Sequence, residues 1–232
     1  MKKSMGFQMS ESVSVGLLLA FTGGLTDAYT YICRGNVFAN AQTGNIVLLG
    51  INLADGRWTK ALLYIIPILS FTIGVIFSEL IKKGFSECRV LHWRQVILSI
   101  EFLVLLTAGF IPLGCYDTAV NIAVAFVCSL QVQSFRKIKG SAYATTMCTG
   151  NLRSAAEQLY RYKATGDKRS LFSSINYQCV ILVFIIGAAA GTWLSNMFGG
   201  RAVWAACVSL VIVFVLMLIR PEEGEAGCNC IE

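Results

Sequence analysis

The sequence predicts an all-α membrane protein: six transmembrane helices in two inverted three-helix repeats, each with an extra short helix. The prediction rests on composition, the placement of positive charge and a pattern that is written twice. Hydrophobic residues make up 56% of the 232 positions and charged residues 14%, whereas a soluble domain carries about 25% charged residues. The expected partner is therefore the lipid bilayer, and the net charge of +6 is attributed to membrane topology rather than to nucleic-acid binding.

Six apolar segments approach the ~20 residues that an α-helix needs to cross a ~30 Å hydrocarbon core. They are Val13–Ile32, Ala61–Ile81, Gln95–Ile111, Thr118–Phe135, Leu171–Phe198 and Val203–Ile219. The first is not followed by the small-residue cleavage site of a signal peptide, and it carries part of the repeated pattern. All six are therefore interpreted as spans.

Positive charge predicts the orientation of these spans. With a cytoplasmic N-terminus, fifteen of the 19 Lys and Arg residues fall on inside segments and four on outside segments. Cytoplasmic loops carry such an excess of Lys and Arg. The sequence therefore predicts a multi-pass protein with both termini in the cytoplasm.

The repeated pattern is a Thr-Gly-Asn triplet at a fixed distance from a polar residue in the preceding span. Asp27 precedes Thr43-Gly44-Asn45 as Gln133 precedes Thr149-Gly150-Asn151, and Phe71–Gly74 is echoed by Phe184–Gly187. Each half holds three spans, so the second half must enter the membrane from the opposite side, which is typical of inverted repeats. We expect one membrane domain, with repeats at 1–115 and 116–220 and a short cytoplasmic tail at 221–232.

A short helix is expected after each triplet. Ile46–Ala54 has nine residues, or ~14 Å at 1.5 Å per residue, which is about half of the bilayer core. The run after Asn151 is amphipathic, with an apolar face predicted at Leu152, Ala155, Ala156, Leu159 and Tyr160. Thr or Asn can cap a helix start and Gly permits a turn. The triplets are therefore either simple caps or two halves of one site at membrane depth.

Asp27 and Glu101 are the acidic candidates inside predicted spans. Asp27 follows Gly23-Gly24 near the outer end of the first span, and Glu101 lies within an apolar run of the third. Acidic residues in spans usually face the bundle interior or a cavity. Asp27 could instead be solvated or pair with Arg34, and a neutral Glu101 could make a structural hydrogen bond between helices.

Amides and hydroxyls supply further candidates. Gln131 and Gln133 lie near the end of the fourth span, and Asn40, Gln42, Thr145 and Thr146 precede the triplets. Such groups either bind a solute or hold helices together. With Asp27, Glu101 and both triplets, Asn40, Gln131, Gln133 and Thr146 complete the set of candidate residues for a substrate or coupling ion.

These residues resemble the YoaK family, a group of multi-pass bacterial membrane proteins without an assigned activity. The resemblance is carried by Gly23–Ala28, by Asn36–Asn40 leading into the first triplet, and by Gln131–Arg136 leading into the second. It covers nearly the whole chain up to Pro221. It implies a six-span protein of the bacterial cytoplasmic (inner) membrane, and implies no activity.

The predicted function is a secondary transporter or channel-like permease for a small solute or ion, and proton coupling through Glu101 is compatible with it. The chain has no His-Glu-x-x-His or Gly-x-Ser-x-Gly motif and no nucleotide-binding glycine loop. No catalytic residue, cofactor or metal is therefore predicted, although Cys228 and Cys230 could bind a metal or stay solvated thiols. The alternatives are a non-transporting scaffold and an intramembrane enzyme of unrecognised type, and a homo-oligomer is compatible with the sequence.

Overall fold

Eight α-helices, two short 3-10 helices (Met9–Glu11 and Gly199–Val203) and one pair of short strands are the regular elements in the part of the chain that the structure describes. The structure is a computed structural model and describes residues 9–85, 92–138, 141–143, 146 and 148–219. The helices are α1 (Val13–Cys33), α2 (Gln42–Ala54), α3 (Trp58–Phe85), α4 (Trp93–Ala108), α5 (Asp117–Ser134), α6 (Cys148–Thr165), α7 (Lys168–Phe198) and α8 (Trp204–Ile219). The hairpin pairs β1 (Lys137–Ile138) with β2 (Ser141–Ala142) and was absent from the all-α prediction. Thr145 and the tail with Cys228 and Cys230 lie outside the described residues.

The six predicted spans coincide with α1, α3, α4, α5, α7 and α8, and the two extra helices are α2 and α6. The start of α2 was predicted wrongly. This helix begins at Gln42, and its N-cap is Ala41, whose side chain makes no capping hydrogen bond. Thr43, Gly44 and Asn45 therefore lie within the first turn, because the preceding loop already turns the chain.

The helix α6 meets the protein through only part of its predicted apolar face. Leu152 and Tyr160 are exposed, and the buried positions are Asn151 and Ala155. The hydroxyl of Ser174 on α7 donates to the carbonyl of Ala155 at 2.8 Å. Close approach to α7 therefore selects small and hydrogen-bonding residues rather than the larger apolar ones.

The helix contacts of the first half correspond to those of the second half. α1 packs along α7 as α3 packs along α5, α2 lies on α3 as α6 lies on α7, and α4 contacts α5 as α8 contacts α1. Exchanging α1–α4 with α5–α8 maps each of these contacts onto another. The halves are thus interleaved, and the apolar core lies mainly among α1, α4, α5 and α8, where Leu19, Ile97, Val124 and Leu210 are buried.

Glycines bring the interleaved helices together. A Cβ on Gly24 of α1 would overlap the carbonyl oxygen of Phe184 on α7, and a Cβ on Gly187 of α7 would overlap that of Phe21 on α1. On the equivalent pair α3 and α5, a Cβ on Gly74 would overlap Ser129. Small residues of this kind let helix backbones approach closely in membranes. The repeated segments ending at Gly74 and Gly187 are therefore helix contacts.

The surface is apolar and much of the interior is polar. Large hydrophobic side chains are exposed along α3, α7 and α8, including Ile73, Leu80, Leu182, Ile185 and Leu218. Thr22, Thr26, Asn45, Glu101 and Gln131 are among the buried polar residues. Contiguous apolar surface of this extent is foreign to soluble monomers. The chain is therefore a membrane protein.

Two helical stretches in the described part of the chain, Trp58–Gly84 and Lys168–Ile219, have the length and hydropathy of membrane spans. α4 and α8 have only 16 residues each, fewer than the ~20 that a span usually needs. α1 carries Thr, Gly and Asp on its buried positions, which lowers its hydropathy. The count of six spans and their inverted orientation stay predictions.

Candidate functional site

Two carboxyl groups are buried in the core of the bundle. Asp27 on α1 is 4% exposed and Glu101 on α4 is 0% exposed. Neither is paired with a cationic side chain among the described residues. Burial of an ionisable group without a partner is costly, so these residues are the first candidates for chemistry.

Asp27 has one occupied oxygen and one free oxygen. Its Oδ1 accepts the backbone N–H groups of Asn40 at 2.6 Å and Ala41 at 3.4 Å. Its Oδ2 is buried and has no hydrogen-bond partner in the part of the chain described. Two alternatives from the sequence are thereby wrong: Asp27 is not solvated, and Arg34 pairs with Asp117 instead.

Asn40 places a second free oxygen in this region. Its side-chain nitrogen donates to Thr26 Oγ1 at 3.1 Å and to the carbonyl of Gly23 at 3.4 Å. A carbonyl only accepts hydrogen bonds, so the nitrogen end of the amide must face α1. The amide oxygen Oδ1 is buried and has no partner within the described residues.

The first triplet holds the loop that carries Asn40. The Asn45 side chain accepts the N–H of Phe38 at 3.0 Å and donates to its carbonyl at 2.8 Å. Gly44 leaves room for the Phe38 ring, because a Cβ there would lie 2.8 Å from it. That ring also stacks on Tyr31, with ring centres 4.7 Å apart. The triplet therefore positions Phe38, and through it Asn40, against Asp27.

The second triplet is built differently. Asn151 is buried, as Asn45 is, but Thr149 and Gly150 are exposed, and a Cβ on Gly150 would meet open space. Thr43 of the first triplet is also exposed. In both triplets, the asparagine is thus the residue that faces the protein.

Residues just before the second triplet reach the surroundings of Asp27. Thr146 is buried, and a Cβ on Gly23 of α1 would overlap its methyl group. Burial raises the pKa of the Cys148 thiol, and the nearby Asp27 carboxyl adds to the rise. The start of α6 therefore lies beside the Asp27 region.

Glu101 has a different environment. The Gln131 side-chain nitrogen donates to both of its carboxyl oxygens at 3.1 Å. This contact joins α4 to α5 at a fully buried position. An interhelical hydrogen bond, which the sequence left open as the structural alternative for Glu101, is therefore present, and its donor is Gln131.

Cys128 on α5 lies within electrostatic range of both carboxyl groups. Its thiol interacts electrostatically with both Glu101 and Asp27 and contacts Thr26 Oγ1 at 3.9 Å. Asp27, Asn40, Cys128, Glu101 and Gln131 therefore form one polar region, which we call the core polar cluster. Cys128 was treated in the sequence as a small hydrophobe, and nothing in its apolar surroundings there indicated this position.

Gln133 does not join the core polar cluster. It is half-buried and donates to the exposed Glu79 on α3. Although it is the sequence counterpart of Asp27, its side chain leads away from the core. The symmetry of the two halves therefore does not extend to these two side chains.

Arg34 is a residue whose role the sequence did not indicate. It is 1% exposed, and all five of its N–H groups are used. They donate to Tyr29 Oη, Asp117 Oδ1 and the carbonyls of Ala108, Ile111 and Pro112, at 2.8–3.1 Å. The guanidinium joins the end of α1 to the connection between α4 and α5. Only one feature of the sequence could have pointed to Arg34, namely that a single cationic residue directly follows the first span.

A cavity of about 280 Å³ lies between α4 and α8. Its lining is mainly apolar and includes Leu98, Phe102, Leu210 and Phe214. No residue of either triplet takes part in that lining. A shared cavity between the triplets stays a prediction.

The fold and the core polar cluster define a class: helical membrane proteins with buried acidic groups. Within this class, the chain belongs to the family described as "Protein of unknown function (DUF1275)", whose model matches residues 15–216. It is similar to the UPF0700 transmembrane protein YoaK of Bacillus subtilis (strain 168), at 24% identity over 211 residues, which cover 87% of this chain and 90% of that protein. No solved structure matches. The resemblance to the YoaK family is thereby confirmed.

Proposed function

We propose that the protein is a secondary transporter or channel-like permease for a small solute, in the bacterial inner membrane. In this proposal six helices span the bilayer as two inverted repeats, and both termini are cytoplasmic. The exchangeable helix contacts of the two halves and the excess of Lys and Arg on the inside segments support it. Inverted repeats in transporters carry their sites at the repeat interface.

The core polar cluster is the observation that carries the proposal. It combines two buried carboxyl groups that lack a cationic partner in the described residues with irregular backbone between α1 and α2. Non-helical backbone at membrane depth is tolerated where protein or a watery cavity surrounds it. A scaffold does not need unpaired buried acids, whereas a carrier uses them to bind and release ions.

Glu101 is the proposed proton-coupling residue. It lies on α4, makes its hydrogen bonds to Gln131 of α5, and is adjacent to Cys128 rather than to a fixed positive charge. A group in this setting can gain and lose a proton as access to the cluster changes. Movement of α4 against α5 would alter the Gln131 contact and so couple protonation to helix position.

The test uses purified protein in liposomes that contain a trapped pH-sensitive dye. A panel of amino acids, small carboxylates and amines is added outside, and proton movement is recorded. We expect at least one solute to drive proton flux in the wild type. Glu101→Gln should abolish this flux and uphill uptake, while exchange of the same labelled solute persists.

Glu79→Gln is the matched control, because it makes the same change at an exposed carboxyl. This variant should retain both proton flux and exchange. Uphill uptake by Glu101→Gln would assign Glu101 a structural role only. Absence of flux for every solute in the panel would favour the non-transporting scaffold.

A further inference from the structure

We propose that Asp27 and Asn40 form a binding site for a sodium ion in the core polar cluster. The inference deepens the proposed transport function, on which the role of sodium as a coupling ion rests. Binding of the ion is a property of the folded protein and is measurable without transport. The proposal is carried by two buried oxygen atoms without partners, on two residues that touch, and by the contacts that hold these residues.

Asp27 Oδ2 and Asn40 Oδ1 are both buried without a hydrogen-bond partner in the described chain. Their residues touch, because the Asn40 backbone N–H donates to Asp27 Oδ1 at 2.6 Å. An ionised carboxylate oxygen and an amide oxygen only accept hydrogen bonds. Such buried acceptors need a donor or a cation, since buried polar atoms are rarely left unpaired.

The Asp27 carboxyl and the Asn40 amide are both held rigidly by hydrogen bonds. Asp27 Oδ1 is held by two backbone N–H groups, and the Asn40 amide is held by Thr26 and Gly23. These bonds use Oδ1 of the Asp27 carboxyl and the nitrogen of the Asn40 amide. The remaining oxygens are therefore fixed in place before any ion arrives, which reduces the entropy lost on binding.

The charges around Asp27 also favour a cation. The thiols of Cys128 on α5 and Cys148 on α6 lie within electrostatic range of its carboxyl group. No cationic side chain among the described residues pairs with it. One carboxylate with an amide oxygen presents a single negative charge and hard oxygen ligands, which match a small monovalent cation.

Glu101 provides the contrast within the same cluster. Both of its oxygens accept from one amide nitrogen of Gln131, whereas Asp27 Oδ2 has no donor within the described residues. The two acids are thus equipped for different tasks: a proton at Glu101 and a sodium ion at Asp27.

The experiment measures thermal unfolding of the purified full-length protein in detergent at constant pH and ionic strength. Sodium chloride is exchanged stepwise for potassium chloride or N-methyl-D-glucamine chloride. A ligand that binds only the folded state raises the melting temperature with its concentration. We expect a saturable rise of several degrees in sodium alone, lost in Asp27→Asn and shifted to at least tenfold higher sodium in Asn40→Ala.

Glu79→Gln, at an exposed carboxyl, should keep the sodium response of the wild type. Equal melting temperatures in all three salts would overturn the proposal, and this comparison needs no variant to fold. A response that follows pH but not sodium would make Asp27 a proton site and overturn it as well. If sodium raises the melting temperature but the protein moves no solute, the sodium site stands and the transport proposal fails. If the protein moves a solute but sodium does not change the melting temperature, the transport proposal stands and the sodium site fails.

Discussion

At the scale of single residues, side chains with several hydrogen bonds decide how the loops of this protein meet its helices. Arg34 fixes the end of α1 to the connection between α4 and α5, with Asp117 as its charged partner at 2.8 Å. Asn45 fixes the loop before α2 by bonding both backbone groups of Phe38. Both act on the backbone, and together they set where the segment between Arg34 and Asn45 runs. That segment carries Asn40.

Replacing Arg34 should destabilise the protein strongly. Arg34→Met leaves Asp117 Oδ1 and three carbonyls without the donors that Arg34 supplies. Breaking a fully buried ion pair from one side costs about 3–5 kcal/mol, and the loss here should lie at the lower end because the Asp117 side chain is 22% exposed. Arg34→Lys keeps the charge but offers three donors rather than five, so its loss should be intermediate. Thermal or denaturant unfolding in detergent measures both.

The matched control is the other arginine–aspartate pair, Arg57 with Asp55, whose side chains are 46% and 53% exposed. Arg57→Met should change stability by about 1 kcal/mol or less, because exposed pairs contribute little. Equal effects at the two arginines would contradict the clamp assigned to Arg34.

At the scale of elements, glycines set the distance between helices of opposite halves. The contacts of Gly24 with Phe184 and of Gly187 with Phe21 are reciprocal across α1 and α7. Gly191 adds a third, where a Cβ would lie 2.7 Å from the carbonyl oxygen of Leu25. Because Asp27 lies on α1 between these contacts and the loop, the spacing of α1 and α7 also sets the position of the core polar cluster.

Gly24→Ala and Gly187→Ala should each lower stability. The added methyl group meets backbone rather than a flexible side chain, and overpacking of this kind typically costs about 1–3 kcal/mol. Unfolding of each purified variant measures the loss. Gly50→Ala on α2 is the control, since a Cβ there meets open space, and it should be neutral or slightly stabilising. A loss of stability in Gly50→Ala equal to that in Gly24→Ala would contradict the packing argument.

At the scale of the whole molecule, interleaving makes each half depend on the other. α1 packs on α7 and α3 on α5, so neither half buries its long helices alone. The apolar exterior and the buried acids then place polar chemistry inside the bundle, away from lipid. This division is what a membrane carrier requires, because buried acidic groups in membranes face the interior or a cavity.

The loops that contain Arg57 and Lys168 should lie on opposite sides of the membrane. Single cysteines introduced at Arg57 and at Lys168, in a background without the native cysteines, should label from opposite sides of the membrane. Arg57 should react with an impermeant reagent added outside intact cells, and Lys168 should react only after permeabilisation, because the inside segments hold fifteen of the 19 Lys and Arg residues. Labelling of both positions from outside would contradict the inverted orientation.

The sequence by itself determined the helices and their order. Hydropathy located six apolar helices, and duplication located the two triplets and the paired glycine segments, because periodic or repeated patterns are written in local residue order. Asp27, Asn40, Glu101 and Gln131, which are buried, could be selected as candidates from the sequence because polar residues stand out in apolar runs.

Only the tertiary structure decided which of these residues meet. It joined Glu101 to Gln131 and Asp27 to Asn40, brought Cys128 within electrostatic range of both acids, and paired Gln133 with Glu79 instead. It also showed that Arg34 is buried and bonded to Asp117. The physical reason is that a hydrogen bond between α4 and α5, or a guanidinium that donates to three carbonyls, depends on how helices pack across the chain. Residue order constrains that packing but does not display it.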